Sequence, residues 1–149
     1  LIPDIVRAIM SGEQIKIRNP SSTRPWQHVI DLLSGYLSLG ARLLDGDKGF
    51  ADSWNFGPKP GGAMPVKALA DKFVECWGEG LIVVDQGINP PAEASYLDLD
   101  ISKAQERLRF EPEISIELSI EMTVDWYKKF LFEGVEAREL VLSQIEQFS

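Results

Sequence analysis

The strand-like segments of this sequence are too short and too few to build a complete sheet. Alternating polar and apolar residues at 15–18 and an apolar run at 81–84 predict two strands. The segments 54–56 and 96–98 predict two more, each of only three residues. A self-sufficient α/β domain needs more and longer strands, packed against helices. We therefore expect an α/β chain that is mainly a helical lobe with a few short strand pairs.

Apolar residues at helical spacing mark the longer segments of the chain. Pro65 suits a helix start, Gly78 suits a helix end, and Gly134 separates the last two helical segments. Ser102 and Gln105 have the spacing of a capping box. The predicted helices are 2–10, 29–44, 65–77, 102–109, 116–133 and 136–147.

Composition and charge exclude several classes of protein. The 149 residues carry a formal net charge of −8, which argues against a nucleic-acid-binding protein. The single cysteine, Cys76, can form no internal disulfide, and we interpret it as a buried structural residue. No apolar run approaches the roughly 20 residues of a membrane-spanning helix. These features favour a cytoplasmic protein with no membrane partner, and a chain that begins at Leu1 suggests a piece of something longer.

Basic residues concentrate at the start of the chain. Residues 1–28 hold four basic and two acidic side chains, a net charge of +2, whereas the remaining 121 residues carry −10. A locally basic segment on an acidic chain suits a small anionic ligand. Chance clustering of solvated side chains explains the charge pattern equally well.

Three features that could serve catalysis or phosphate binding fit structural roles better. The loop 57–62 matches neither phosphate-binding glycine motif, and its two prolines remove backbone donors. His28 is the only histidine, so we interpret it as a hydrogen-bonded residue at a helix start rather than a metal ligand. Asp98 and Asp100 share one face of a strand, where solvent exposure or helix capping accounts for them. The sequence therefore predicts no catalytic residue and no metal site in this chain.

The segment 23–29 carries the best candidates for ligand contact. Arg24 provides a permanent cation whose planar fork fits phosphate oxygens. Trp26 adds an aromatic plane suited to a nucleobase or a sugar, and Pro25 stiffens the loop that presents both. From spacing alone, an ion pair of Arg24 with a nearby acid and a core position for Trp26 are equally good interpretations.

At these residues the sequence resembles the extended short-chain dehydrogenase/reductase family. The order and spacing of several motifs carry the resemblance, from Leu1 to about Phe130. Within the family, Arg-Asn-Pro at 18–20, Thr-Arg-Pro-Trp-Gln-His-Val at 23–29 and Trp-Asn-Phe-Gly-Pro at 54–58 are most similar to CDP-glucose 4,6-dehydratases. Further matching segments are Leu97-Asp98-Leu99-Asp100, Ser102-Lys103-Ala104 and Thr123-Val124-Asp125-Trp126-Tyr127.

The resemblance implies that residues 1–149 are the carboxy-terminal, nucleotide-sugar-binding domain of a longer enzyme. Arg24 would contact the pyrophosphate of a nucleotide diphosphate sugar. The base and the ribose would lie near Leu1, Ile15, Ile17 and Trp26. Family members often have a polar or basic residue where this chain has Ala92, which leaves a second phosphate contact open.

The resemblance also implies what the domain lacks. The family's glycine-rich NAD turn and its Tyr-x-x-x-Lys catalytic pair lie upstream, in a Rossmann NAD-binding domain, and no tyrosine here has lysine four residues later. The whole enzyme would use NAD to convert CDP-glucose to CDP-4-keto-6-deoxyglucose. That reaction oxidises C4, removes water across C5–C6 and returns the hydride to C6. Another nucleotide-sugar epimerase or dehydratase remains open, as does a non-catalytic interaction module that uses the acidic helices at 116–148.

The missing Rossmann domain would also be the main partner of this chain. In relatives, the strand and helix matched by 53–77 pack on the NAD-binding domain. This predicts an uncovered apolar face that includes some of Val66, Phe73 and Trp77. Such a face favours self-association, so we expect a homo-oligomer such as a dimer.

Overall fold

The structure is a computed structural model that describes residues 1–85 and 94–148. Six α-helices surround two small sheets within these ranges. A 3₁₀ turn at Lys48–Phe50 follows α2, and a π-helical turn at Lys129–Glu133 follows α5. The elements are α1 (Ile2–Met10), β1 (Ile15–Ile17), β2 (Thr23–Arg24), α2 (Val29–Leu44), β3 (Met64–Pro65), α3 (Val66–Trp77), β4 (Ile82–Val84), α4 (Ser102–Leu108), α5 (Ile116–Lys128) and α6 (Ala137–Glu146).

Each sheet of the described ranges has two strands. β1 and β4 are parallel, with Ile15 opposite Ile82 and Ile17 opposite Val84. β2 and β3 are antiparallel, and Thr23 also makes a single bridge to Tyr96. Two-stranded sheets bury too little surface to stand alone, so the helices packed on them stabilise the lobe. The predicted mainly helical α/β lobe is confirmed, and the described residues contain no Rossmann sheet.

Two of the four predicted strands are wrong. Residues 54–56 belong to no strand of the described ranges, and 96–98 form only the bridge at Tyr96. The carbonyl of Phe56 instead accepts a hydrogen bond from Gln27 Nε2 at 3.2 Å. A strand requires a neighbouring backbone at the right distance, and local sequence does not supply one.

The cap of α4 also differs from the prediction. Ser102 and Gln105 form no capping box. Asp100 Oδ1 instead accepts from the backbone N–H of Ser102 at 2.9 Å and from its hydroxyl at 2.6 Å. Asp98 Oδ1 accepts from the Leu99 amide, and its Oδ2 accepts from the Tyr96 hydroxyl. Both carboxylates are therefore used locally, as the structural interpretation of this pair predicted.

The main core lies between α1, β1, α3 and α5. Its centre is Phe73, which is fully buried and stacks on Trp77 with ring centroids 5.9 Å apart. A second, smaller cluster fills the space beside α2 and α4. It consists of Phe56, Ile101, Ala104, Leu108 and Phe110. The lobe therefore has two separate hydrophobic cores, one built on α3 and one built on Phe56.

The predicted uncovered face on α3 is wrong, because α5 already covers it. Phe73 and Trp77 are buried, and Val66 is half-buried. The exposed apolar face belongs to α2 instead, where Leu37 is 74% and Leu44 90% exposed. The full set on α2 is Val29, Leu33, Tyr36, Leu37, Leu43 and Leu44.

Candidate functional site

A cavity of about 360 Å³ opens between the start of α1, the outer face of β1 and the segment that follows β2. It combines apolar walls with basic side chains, and this is the mixture that suits an organic anion. The lining residues are Leu1, Asp4, Lys16, Ile17, Arg18, Asn19, Arg24, Trp26 and Val66.

β1 divides its side chains between the core and the outer face. Ile15 and Ile17 are 3% and 2% exposed, whereas Lys16 and Arg18 are exposed and line the cavity. This is the two-residue alternation of a strand. Hydrogen bonds to the β4 segment hold the strand at both ends, from Ile15 N to the Leu81 carbonyl at 2.8 Å and from Asp85 N to the Ile17 carbonyl at 2.9 Å.

The loop before β2 is fixed by the first turn of α3. The amides of Val66 and Lys67 donate to the carbonyls of Ser22 and Pro20, each at 2.9 Å. These two amides lie in the turn of a helix that has no internal acceptors for them. The loop carbonyls satisfy them and so anchor the loop that leads to Arg24.

Arg24 and Trp26 are both held by backbone carbonyls. Arg24 Nη1 donates to the carbonyls of Thr23 and Ala94, each at 2.9 Å. Trp26 Nε1 donates to the Met64 carbonyl at 2.9 Å, which fixes the plane of the indole ring at the cavity wall. The guanidinium and the ring are thus positioned before any ligand arrives, which lowers the entropic cost of binding.

The structure brings together four of the five site residues predicted from the sequence. Leu1, Ile17, Arg24 and Trp26 all line the cavity. Ile15 does not, because its side chain points into the main core.

Sequence reasoning did not assign several further lining residues as ligand contacts, namely Asp4, Lys16, Arg18, Asn19 and Val66. Strand alternation was the available signal for Lys16 and Arg18. If Ile15 and Ile17 face the core, the residues between and after them must face outward.

The cavity carries an excess of positive charge. Lys16, Arg18 and Arg24 face one carboxylate, that of Asp4. The hydrogen bond from Arg7 is the main cause that holds the pKa of Asp4 below its ordinary value of 3.8, so this carboxylate is already engaged. The three cations therefore dominate the local field, which suits a ligand bearing at least two negative charges.

The other candidate residues lie away from this cavity or have structural roles. His28 is buried and caps α2, with Nδ1 accepting from the Ile30 amide at 3.3 Å, as the structural interpretation predicted. Cys76 is half-buried rather than buried, and desolvation raises the pKa of its thiol. Within residues 1–85 and 94–148, no group of acidic, histidine or cysteine side chains could hold a metal ion. Ala92 lies outside the described residues.

We expect His28 to make stability fall as the pH decreases through about 6.5. Burial lowers the pKa of His28 below its ordinary value of 6.5, and the Asp31 carboxylate raises it by less. The folded state therefore favours the neutral ring, while the unfolded chain takes up a proton. The contribution of His28 to the free energy of unfolding is complete above pH 6.5 and is lost below it. The free energy of unfolding changes there by at most about 1.4 kcal/mol per pH unit. Urea unfolding at pH 7.5 and 5.5 measures the change.

His28→Asn is the control for this pH effect, because asparagine caps a helix without titrating. The variant should lose less stability between the two pH values than the wild type. An equal loss in both proteins would contradict the role assigned to His28.

Comparisons with known proteins agree with this architecture. No protein-family model matches the chain. The chain is 41% identical over 131 residues to a CDP-glucose 4,6-dehydratase from Salmonella typhimurium, a match that spans 88% of this chain and 36% of that protein. The chain therefore spans about a third of the length of the curated relative it matches.

Solved structures share the fold at low sequence identity. A UDP-glucuronic acid 4-epimerase from Bacillus cereus, in complex with UDP-glucuronic acid and NAD, superposes with a TM-score of 0.69 at 18% identity, covering 85% of this chain and 39% of the epimerase. A dTDP-glucose 4,6-dehydratase from Bacillus anthracis, in complex with NAD, also gives 0.69, at 21% identity over 87% of this chain and 39% of the dehydratase.

No helix within the described ranges is both long and apolar enough to cross a membrane. Within residues 1–85 and 94–148 the chain forms the mainly helical lobe that these structures share, and it contains no Rossmann sheet there. The chain therefore has the fold of a mainly helical lobe that is found in extended short-chain dehydrogenase/reductase epimerases and dehydratases.

Proposed function

We propose that this chain is the substrate-binding part of an NAD-dependent CDP-glucose 4,6-dehydratase. The observation that carries the proposal is the cavity in which a fixed guanidinium, a fixed indole ring and two further cations line one space. The 41% identity to a protein of that name supports the same activity. The ligand would be CDP-glucose, and the rest of the protein would bind NAD.

The residues would divide the nucleotide sugar between them. Arg24 would contact the pyrophosphate, because its fork can bind two phosphate oxygens at once. Leu1 and Trp26 are half-buried, form the apolar side of the cavity and would contact the base and the ribose. Ile17 also lines the cavity, but it is only 2% exposed and would mainly support this wall from the core. Ile15 would act indirectly, by anchoring β1 in the core.

This chain would bind and orient the substrate, and the chemistry would belong to the rest of the protein. NAD, when bound there, would take the hydride from C4 of the sugar and return it to C6 after water is lost across C5–C6. The three tyrosines of this chain lack a lysine four residues later. Orientation by a second domain places a reacting carbon at a cofactor, which accounts for a large share of catalysis in such enzymes.

We propose that the NAD-binding domain covers the exposed apolar face of α2 and the neighbouring part of 53–77. Leu37 and Leu44 lie on that face. Residues 54–56 belong to no strand of the described ranges, and Phe56 packs against Tyr36 of α2. A contiguous exposed apolar face often marks an interaction site. The bulk of a protein as long as the relative would lie outside this chain. Slower amide hydrogen exchange of α2 in the full-length protein than in the lobe alone would support this contact.

Two finer properties of the whole protein belong to the same proposal. We propose a cytoplasmic location, since nucleotide sugars and NAD are cytoplasmic metabolites. We also propose a homo-oligomer such as a dimer, because α6 retains exposed apolar residues at Val141, Leu142 and Ile145. Light scattering of the full-length protein measures the oligomeric state.

A second candidate is a nucleotide-sugar 4-epimerase. The fold does not separate it from a dehydratase, because the two kinds of solved structure superpose equally well. Mass spectrometry of the full-length protein with NAD and CDP-glucose does separate them. We expect CDP-glucose to lose one water, and UDP-glucose and dTDP-glucose to remain unchanged. An unchanged mass with a new sugar isomer would replace the dehydratase by an epimerase, and no turnover at all would favour an interaction module.

Arg24→Gln is expected to weaken binding of CDP to the full-length protein by roughly 10- to 100-fold, because a charge-assisted hydrogen bond is lost. Isothermal titration calorimetry measures the change. Arg138→Gln, an exposed residue of α6 outside the cavity, removes the same charge and should leave the affinity within about twofold.

Arg24 also donates to two backbone carbonyls, so its loss could disturb the loop itself. Arg24→Lys keeps a donor and should restore part of the affinity. If Arg24→Gln binds CDP as tightly as the wild type while remaining folded, the pyrophosphate contact is wrong.

A further inference from the structure

The outer face of β1 presents two cations, and the proposed function assigns neither of them to a particular part of the ligand. Lys16 and Arg18 alternate with the buried Ile15 and Ile17 and line the cavity. Neither head group forms a hydrogen bond or an ion pair with any part of the chain that the structure describes. Two cations without protein partners on the wall of a cavity are available to a ligand.

The two side chains differ in the acceptors that they can recognise. Lysine is a compact charge with three donors that rotate freely, so it binds any nearby oxygen. Arginine presents donors in a rigid planar fork, which needs two adjacent acceptors in one plane. Arg18 can therefore discriminate between ligands by shape, whereas Lys16 cannot.

Pyrimidine bases differ in this respect. Cytosine carries two adjacent acceptors, O2 and N3, on its Watson–Crick edge. Uracil and thymine carry an N3–H donor between two carbonyl oxygens, so one arm of a guanidinium fork would meet a donor. Among the pyrimidine nucleotides, a bidentate arginine on this edge selects cytosine, by the same logic that pairs arginine with the adjacent acceptors of guanine in DNA.

The charges in the cavity leave Arg18 free for such a role. The diphosphate of a nucleotide sugar carries two negative charges, and Arg24 with Lys16 supplies two positive ones. Positions 16 and 18 are about 7 Å apart along a strand. The two head groups can therefore serve different parts of one nucleotide.

We propose that Arg18 is a specificity-determining residue that donates through its fork to O2 and N3 of cytosine, while Lys16 contributes charge toward the diphosphate. The inference rests on the proposed function, since it assumes a nucleotide in this cavity. It adds the residue that makes the cavity prefer a cytidine nucleotide over a uridine or thymidine one.

Calorimetric titration of the full-length protein with CDP, UDP and dTDP tests the assignment. Arg18→Lys keeps the charge and removes the fork, so we expect CDP to bind roughly tenfold more weakly and UDP and dTDP to change by less than about threefold. Lys16→Gln is the matched control on the same face of the same strand. It should weaken all three nucleotides by a similar factor, because it removes charge alone.

Each outcome decides a separate point. If Arg18→Lys weakens all three nucleotides equally, Arg18 does not read the base and the inference is overturned. A wild type that binds CDP no better than UDP overturns it as well. If the wild type binds no nucleotide, the proposed function is overturned together with the role of Arg18. If it binds nucleotides without preferring CDP, only the role of Arg18 is overturned. Arg18 is exposed, so Arg18→Lys should unfold at the wild-type temperature, and thermal melting verifies that any loss of affinity is local.

Discussion

Asp31→Ala is expected to lower the free energy of unfolding by about 3 kcal/mol or more, the largest effect among the substitutions considered. The Asp31 carboxylate is buried, and its two oxygens accept from the amides of Glu113 and Ile114, each at 3.0 Å. A hydrogen bond to a charged group contributes about 1.5–3 kcal/mol, and its loss leaves an amide unpaired. Equilibrium unfolding in urea measures the difference.

Two further variants test whether the loss of stability comes from the hydrogen bonds of Asp31 or from removing a negative charge from α2. Asp31→Asn keeps one acceptor oxygen, so its loss should be about half as large. Asp45→Ala removes an exposed carboxylate at the other end of the same helix and should be neutral or slightly stabilising, because a negative charge is unfavourable at a helix C-terminus. Equal losses for Asp31→Ala and Asp45→Ala would show that the contacts to 113–114 contribute little.

Gly35→Ala is expected to lower the free energy of unfolding by about 2 kcal/mol. A Cβ at this position would lie 2.3 Å from Cδ1 of Phe56. The Phe56 ring cannot move aside easily, because it packs edge-on against both Tyr36 and Phe110. Alanine favours a helix over glycine by about 1 kcal/mol, which offsets part of the steric cost.

Gly40→Ala provides the matched comparison on the same helix. A Cβ at Gly40 would meet no atom within 4 Å, so only the helix-propensity term remains. We expect a gain of up to about 1 kcal/mol, so that the two alanine variants differ by about 3 kcal/mol in thermal or urea unfolding. If both substitutions stabilise the protein, the close contact between α2 and Phe56 is not present in solution.

The helices were predictable from the sequence because helical periodicity is a local property. The spacing of apolar residues predicted α1 over 2–10 and α2 over 29–44 with the bounds that the structure has. Gly78 ends α3 in the left-handed conformation that glycine adopts without strain, as its position suggested. Each of these signals depends on residues within one or two turns of each other.

The strands were only partly predictable, because pairing depends on distant backbone. The alternation at 15–17 predicted β1, but that strand exists through the parallel contact with β4, more than sixty residues later. The equally strand-like segment 54–56 has no partner in the described ranges and stays unpaired. For the same reason the cover of α3 by α5 was not foreseen, since two helices distant in the sequence make that contact.

Local sequence alone determined the helical lobe, the basic start of the chain and the candidacy of Arg24 and Trp26 as ligand contacts. Only the tertiary structure decided which other side chains share their cavity. It turned Ile15 into the core and Lys16 and Arg18 outward, because β1 has one face against α1 and α3 and one face open. The residue type determines which chemical groups a side chain can bind, and the packing of distant elements determines whether it faces the cavity or the core.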